Sequence, residues 1–474
     1  MGPLVVGVDS STQSTKVLVV EADTGRVVAR SQAPHTVTGA GGARESDPRG
    51  WWDALATALA GCGDVVREAA AVSIGGQQHG LVTLDAAGEP VRPAMLWNDV
   101  RSAPQRDRLV AELGGAKEWA ERTGSVPAPS FTVTKWAWLR DNEPEAAAAT
   151  AAVRLPHDYL TERLTGTGTT DRGDASGTGW WDSRSGAYDS RTLEHVGLDA
   201  ALLPRVVAPG EAAGTVRAGL PLPEGILVAP GTGDNMAAAL GLGLRPGQPV
   251  LSLGTSGTVY AVTGERPVDP TGTVAGFADA GGGWLPLAAT LNCTQAVDRF
   301  AALLSLARED VEAGSGAVVL PFLDGERTPD LPHASGLLYG LRHDTTPGQL
   351  LQSAYDGAVY ALLTALDRVT GPEAADDEPI LLIGGGAQGV AWRDTVRRLS
   401  GRAVRVPQVR EAVALGAAAQ AAGLLLGEDP AAVARRWGTA EGPSYGAVPR
   451  DDETLQRIAS VLEDGDALLR RPGA

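Results

Sequence analysis

One short unit occurs twice in this chain: a β-branched strand, a tight loop of small hydroxyl residues and glycine, and a second β-branched strand. It opens the sequence as LVVGVDSSTQSTKVLVV at residues 4–20 and restarts as VLSLGTSGTVYAV at residues 250–262. Between the copies, Arg245-Pro246-Gly247-Gln248-Pro249 breaks the pattern. A unit that recurs in this way is most simply a duplicated lobe. It predicts two lobes, residues 1–244 and 245–474.

Each half continues in mixed fashion. The opening run predicts three consecutive antiparallel strands, the second and third turning at Thr24-Gly25. Helical residues from Trp51 to Ala69 lead into the buried strand AAVSIGG, and LVTLDAAGEPVRPAMLW reads as a hairpin with Gly88 in its turn. The low-complexity tract from Glu145 to Val153 reads as a surface helix. In the second half the pattern predicts helices at about 294–308 and 348–370, the strand Pro379 to Ile383, and an alanine-rich helix from Glu411 to Leu426. Strands alternating with helices after a leading hairpin make both lobes α/β with mixed sheets.

Composition narrows the function classes. At 474 residues the length suits about three ordinary domains or two large lobes with insertions. With 57 acidic against 40 basic side chains the net charge is −17, which repels a phosphate backbone and argues against nucleic acid. The run Arg393, Arg397, Arg398, Arg402, Arg405 and Arg410 reads as a solvated face. Cys62 and Cys293 have no second thiol or metal-ligand spacing nearby, so neither a disulfide framework nor a zinc site is expected. No secretory leader pattern and no apolar run of about 18 residues appear, which predicts a cytoplasmic protein without membrane contact. The oligomeric state stays open, a homodimer included.

The loop Asp9-Ser10-Ser11-Thr12-Gln13-Ser14-Thr15-Lys16 lets backbone amides and hydroxyls approach an anion closely. It is not a Walker A loop, since Ser14 and a strand stand where that motif needs glycine and a helix. Alone it is equally a polar hairpin turn. The second copy, Gly254-Thr255-Ser256-Gly257-Thr258, favours a nucleotide site in which two hairpins hold the β- and γ-phosphates, with Asp9 placed to hold Mg²⁺ directly or through water. Gly384, Gly386 and Gly389 match a dinucleotide fingerprint after a strand. The acidic residue that fingerprint requires is missing, because Pro407 and Gln408 follow the next strand. The other use of such glycines is to let adenosine lie on the backbone at Gly385 and Gly386, with Gln388 at its edge.

Two further constellations are candidates. Gly231-Thr232-Gly233-Asp234-Asn235-Met236 sets a carboxylate and an amide at a glycine turn opening a helix. Asp234 there is either a helix cap or a proton acceptor for a substrate hydroxyl. Gly75-Gly76-Gln77-Gln78-His79-Gly80 follows a buried strand, and Trp97-Asn98-Asp99 with Arg101 ends the next hairpin. Many donors beside an aromatic platform suit a polyhydroxylated ligand.

Taken in order, GVDSSTQSTK, GGQQHG, LWND, LPHDYLTERLTG, TDRGDASGT, GTGDN, LGTSGT, FLDGERTP and IGGGAQ resemble the FGGY carbohydrate kinases over nearly the whole chain, and within them the members that act on D-xylulose. The resemblance implies a two-lobed, actin-like ATPase (ribonuclease H-like) fold with a central cleft. It implies transfer of the γ-phosphate of ATP to the 5-hydroxyl of D-xylulose. Asp234 would be the general base, with Gln78, His79, Trp97, Asn98 and Asn235 around the sugar. Ser11, Thr12, Gln13, Thr15, Lys16, Gly254, Thr255, Ser256, Gly257, Gly385, Gly386 and Gln388 would hold ATP, and Mg²⁺ would fall to Asp9 and Asp234. One position departs from the family: its Gln-Met-His pattern appears as Gln77-Gln78-His79, which bears on the choice of pentulose or alditol. A non-catalytic, sugar-responsive relative is the rival reading, and the intact Asp234 speaks against it.

Overall fold

All seven residues of the strand Leu4–Ser10 are buried, which requires cover on both faces of its sheet. In the computed structural model, which describes residues 2–314, 316–371 and 377–471, side chains alternate between two cores. Val6 and Val8, with Val17 and Val19 of the next strand, enter a core closed by Trp51, Leu55 and Leu59 of the helix Pro48–Gly61. Val5, Leu18 and Val20 enter the other, against Ala414, Ala418 and Ala422 of the helix Ala412–Leu426.

The chain divides into two compact units. The first runs to Leu244 and takes in Gly264–Leu285 and Val409–Thr439; the second holds Arg245–Thr263, Pro286–Gln408 and the residues from Ala440 on. Two stretches of the expected second lobe therefore pack with the first unit. For Val409–Thr439 the reason is steric. A Cβ at Gly7 would come within 2.0 Å of the Ala414 carbonyl oxygen, one at Gly241 within 2.0 Å of that of Ala412, and one at Gly416 within 1.8 Å of that of Ala237. The helix Ala412–Leu426 thus lies backbone to backbone on the strand Leu4–Ser10 and the helix Asp234–Gly241. The outer limits 1 and 474 of the expected lobes lie outside the described residues.

In the first unit the strands Leu4–Ser10, Ser14–Glu21 and Val27–Pro34 are antiparallel neighbours, and Gly25 turns at φ 73°. Leu4–Ser10 also pairs in parallel with Ala69–Gly76, whose end receives Thr232–Gly233. Two local expectations change. Val82–Leu84 and Ala94–Met95 pair not chiefly with each other but with Ala152–Arg154 and Glu45–Ser46; Pro90 and Pro93 remove the donors a continuous hairpin needs. The helix expected to run to Val153 stops at Ala149, because Ala152–Arg154 is drawn into that pairing and Val153 is 1% exposed.

The second unit repeats the local order. Val250–Leu253 pairs antiparallel with Gly257–Tyr260 and parallel with Ile380–Ile383. The long helix Pro347–Thr370 packs beside them, its start fixed by a capping box between Thr346 and Gln349. Most of the arginine run is paired rather than merely solvated. Arg398 meets Asp356 and Asp451, Arg402 donates to the Glu378 carbonyl, and Arg393 lies 4.0 Å over the Tyr445 ring.

Gly7→Val forces two backbones apart, so its thermal midpoint is expected to fall by at least about 5 °C, or the soluble yield to collapse. Gly50→Ala, at a helical position with no atom within 4 Å, should leave the midpoint unchanged or raise it slightly. Calorimetry of the two variants checks the pair.

Candidate active site

In the first unit the candidate residues gather at one end of the sheet. Asp9 is the last residue but one of the first strand, opposite Lys16. The Lys16 ammonium lies 3.2 Å from Asp9 Oδ2 and 3.0 Å from Glu411 Oε2, held between two carboxylates rather than pointing out of the loop. Burial raises the Asp9 pKa against the pull of Lys16, and its Oδ1 is buried without a hydrogen-bond partner. The loop closes on itself: Ser11 donates through N and Oγ to the Ser14 carbonyl, both at 3.0 Å. Thr15 is buried, its hydroxyl 3.3 Å from that of Ser10, whereas Gln13 is exposed. Thr12 Oγ1 accepts from the Trp97 indole at 3.1 Å, which ties the loop to the candidate sugar residues.

The strand Ala69–Gly76 delivers Gln77, Gln78 and His79 beside this loop, with Gln77 N donating to the Ser10 carbonyl at 3.0 Å. Both glutamines are buried. Neither amide atom of Gln77 and not Nε2 of Gln78 has a partner, while Gln78 Oε1 accepts from Asn235 Nδ2 at 2.7 Å. His79 has φ 65°, a strained value for a side-chain-bearing residue. Its ring is fixed by Nδ1 donating to the Gly177 carbonyl at 2.8 Å and by stacking on Phe131 at 5.0 Å. Phe277, at 5.6 Å, comes from the Gly264–Leu285 excursion and closes the same wall.

Trp97 is 44% exposed, and Asn98 Oδ1 is buried without a partner. Arg101 serves its neighbours. It pairs with Asp99 at 2.7 Å and with Glu45 at 2.5 Å, and lies 4.3 Å over the Trp138 ring.

Asp234 stands at the first position of the helix Asp234–Gly241, and Gly233 is the N-cap. It is therefore not the capping residue. Thr232–Gly233 runs parallel to Gly75–Gly76, so close that a Cβ at Gly233 would lie 2.5 Å from Gln78 Cγ. Asp234 Oδ1 accepts from Asn235 N at 2.8 Å and from its Nδ2 at 3.1 Å. Burial, then the carboxylates of Asp9 and Asp174, push the Asp234 pKa up to about 7, in the range suited to accepting a proton near neutrality.

Behind this end lies a buried ionic cluster that joins two motifs distant in sequence. His157 Nδ1 is 2.7 Å from Asp174 Oδ2, and its Nε2 is 3.3 Å from Asp158 and 3.9 Å from Asp171. Burial alone would lower the His157 pKa, but Asp158, Asp174 and Asp171 outweigh it and raise it to about 9. Asp171 caps the turn Arg172–Ala175 and accepts from Thr232 Oγ1 at 2.7 Å.

In the second unit Gly254–Gly257 turns over the start of the helix Thr294–Leu304: the Gly254 carbonyl accepts from Thr294 N at 3.0 Å and Oγ1 at 2.8 Å. Thr255 and Ser256 are exposed. Gly384, at φ 85°, lies against the Leu253 backbone, where a Cβ would meet a carbonyl oxygen at 2.8 Å. The turn Gly385–Gln388, with Gly386 buried and Gly385 and Gln388 exposed, therefore sits beside the Gly254 turn at the carboxyl ends of adjacent parallel strands, the usual ligand end of such a sheet.

The sequence flagged Asp9, Gln78, His79, Trp97, Asn98, Asp234 and Asn235. It did not single out His157, Asp174, Phe131, Phe277, Glu411 or Gln420 for the site. The only local signal for Gln420 was an amide in an otherwise apolar helix.

Models of the N- and C-terminal domains of the FGGY family of carbohydrate kinases match residues 4–241 and 250–424. A xylulose kinase of Streptomyces rubiginosus is 75% identical over 472 residues, covering 99% of this chain and 98% of the relative. One from Streptomyces coelicolor is 73% identical over 475 residues, covering 100% and 98%. The crystal structure of xylulose kinase from Bifidobacterium adolescentis superposes with a TM-score of 0.87 at 36% identity, covering 97% of this chain and 99% of that one. The fold is the two-domain, actin-like fold of these sugar kinases, with a mixed sheet in each domain.

Because the folded His157 pKa of about 9 lies above the unfolded value of about 6.5, its protonation stabilises the fold fully below about pH 6.5, and that contribution is lost as pH rises through about 9. Nitrogen NMR at about pH 7.5 should therefore find His157 as an imidazolium. A neutral ring there would contradict the cluster's electrostatics.

Proposed function

The chain belongs to the FGGY family of carbohydrate kinases, and on that premise we propose that it transfers the γ-phosphoryl group of ATP to the 5-hydroxyl of D-xylulose, with Asp234 taking the hydroxyl proton. It is an ATP-dependent, Mg²⁺-using sugar kinase; the finer assignments are ours. The observation that carries the role of Asp234 is its position: an uncapping carboxylate with a pKa near 7, hydrogen-bonded through Asn235 to Gln78 at the same sheet end.

Gln78, His79, Trp97, Asn98 and Asn235 bind the sugar. Support comes from the buried amide atoms of Gln77, Gln78 and Asn98 that lack protein partners, since such groups are rarely left unsatisfied and hydroxyls both donate and accept. The exposed Trp97 ring offers an apolar face to the sugar carbons. For ATP, the proposed residues are Ser11, Thr12 and Gln13 in the first unit and Gly254, Thr255, Ser256, Gly257, Gly385, Gly386 and Gln388 in the second, in turns of which Gln13, Thr255, Ser256, Gly385 and Gln388 are exposed. Thr15 and Lys16 brace the first turn from within, given their bonds to Ser10, Asp9 and Glu411. A cytoplasmic location belongs to the same proposal, supported by two buried free cysteines.

Among the described residues no group of three or more His, Cys, Asp or Glu could hold a metal ion by itself. The donor set instead fits Mg²⁺ arriving with the nucleotide, held by phosphate oxygens, by the unpartnered Oδ1 of buried Asp9 and by Asp234, directly or through water. When bound, the ion neutralises charge on the phosphates. In the transfer, the acceptor oxygen bonds to the γ-phosphorus as the bond to the bridging oxygen breaks. ADP leaves with that electron pair, and the hydroxyl proton passes to Asp234.

Asp234→Asn is expected to lower kcat by about 100-fold or more while sugar affinity by calorimetry stays within about threefold; unchanged turnover would move the base elsewhere. Asp9→Asn should lose activity that excess Mg²⁺ restores only in part. In a coupled ADP-release assay over ketoses, alditols and aldonates, D-xylulose should rank first. Binding of ATP and sugar without any sugar phosphate formed would overturn the kinase assignment.

A further inference from the structure

Gln420 lies in the helix Ala412–Leu426 among alanines and glycines, 4% exposed. Packing alone gives no reason for an amide there, because burying one is costly unless its bonds are made. They are made to the segment that carries Asp234. Gln420 Oε1 accepts from Gly231 N at 2.9 Å and Nε2 donates to the Gly231 carbonyl at 3.1 Å. The side-chain amide thus pairs with both polar groups of one residue, as a neighbouring strand would. Its remaining bond is to Ser73 Oγ, at 2.6 Å.

Gly231 has little freedom to answer otherwise. It has φ +76°, and a Cβ there would lie 2.6 Å from the Ile74 carbonyl oxygen and 2.7 Å from His157 Cδ2. The next residues are anchored separately: Thr232 by its hydroxyl on Asp171, Gly233 by its close approach to Gln78. Asp234 follows at once, on the helix that Gly231–Gly233 aims.

We propose that Gln420 is a positioning residue for the phosphoryl transfer: its two-point pairing with Gly231 fixes the backbone that directs the Asp234 carboxylate at the acceptor hydroxyl. This rests on Asp234 being the base, and it assigns Gln420 no contact with either substrate. An error of about 1 Å in the placement of a reacting group can cost on the order of 100-fold in rate, so the loss should appear in turnover rather than in sugar binding.

The test uses Gln420→Leu, Gln420→Glu and Ser73→Ala in the full chain. Glutamate keeps the acceptor and loses the donor to Gly231; Ser73→Ala removes a bond to Gln420 but leaves the pairing with Gly231. Three readouts are compared: kcat, KM for D-xylulose, and ATP hydrolysed per sugar phosphate formed, a ratio that the folded fraction does not change. Gln420→Leu is expected to lose about tenfold or more in kcat with KM within about threefold and a raised hydrolysis ratio. Gln420→Glu should fall between it and the parent, and Ser73→Ala should stay within about twofold of the parent. If Gln420→Leu gives too little protein, Gln420→Glu carries the comparison. Parental kcat and ratio in the Gln420 variants, even with a lowered melting temperature, would reduce Gln420 to packing. A loss in Ser73→Ala equal to that in Gln420→Leu would refute the route through Gly231. Turnover surviving in Asp234→Asn would instead remove the base assignment on which the inference rests; its loss there with intact Gln420 variants would refute positioning alone.

Discussion

Backbone contact between the helix Ala412–Leu426 and the strand Leu4–Ser10 fixes the geometry of the first unit. Gly7, Gly241 and Gly416 let three backbone surfaces meet where any Cβ would overlap a carbonyl oxygen, and interiors packed at that density shift little. The helix is therefore a rigid rod laid against the sheet. Glu411 at its start holds Lys16 together with Asp9, and Gln420, about 13 Å further along by helical rise, holds Gly231. One element thus fixes both the loop after the first strand and the turn before Asp234.

Much of this architecture was legible in the sequence where the signal is local. Antiparallel strands around tight turns, the buried run Ala69–Gly76 and the helix after Gly233 all follow from side-chain period and turn residues. What was not legible depends on partners far along the chain. An alanine-rich helix has no apolar stripe to point at its neighbour, so the helix itself was evident but not that it packs on Gly7 and Gly241, some 170 to 410 residues away by numbering. Likewise the helix Pro144–Ala149 stops short of Val153, which pairs as a strand residue with the distant Thr83.

The same division holds for the site. Asp234, Gln78, His79 and Asp9 stand in short polar segments at strand ends, a pattern a single pass can read. His157, Asp158, Asp171 and Asp174 each look like ordinary helix-start or turn residues, and only their burial within 4 Å of one imidazole makes them a unit. Phe131, at the cap of the helix Thr132–Asn142, and Phe277, in the strand Ala275–Ala278, are ordinary single aromatics until both are seen against the His79 ring. Their common property is that a second residue, remote in sequence, decides what each one does.

Gln78 shows how such coupling reaches the chemistry. Its Oε1 accepts from Asn235 Nδ2, and Asn235 donates in turn to Asp234 Oδ1 through both its backbone N–H and its side chain. The amide at the proposed sugar wall and the proposed base are therefore two ends of one hydrogen-bonded run. A thioether at position 78 would fill similar volume but accept only weakly, leaving the Asn235 amide held by Asp234 alone. An amide at position 78 thus does more than offer one proposed contact to the sugar. It ties Asn235 to Gln78 as well as to Asp234, and so couples the proposed sugar wall to the placement of the proposed base.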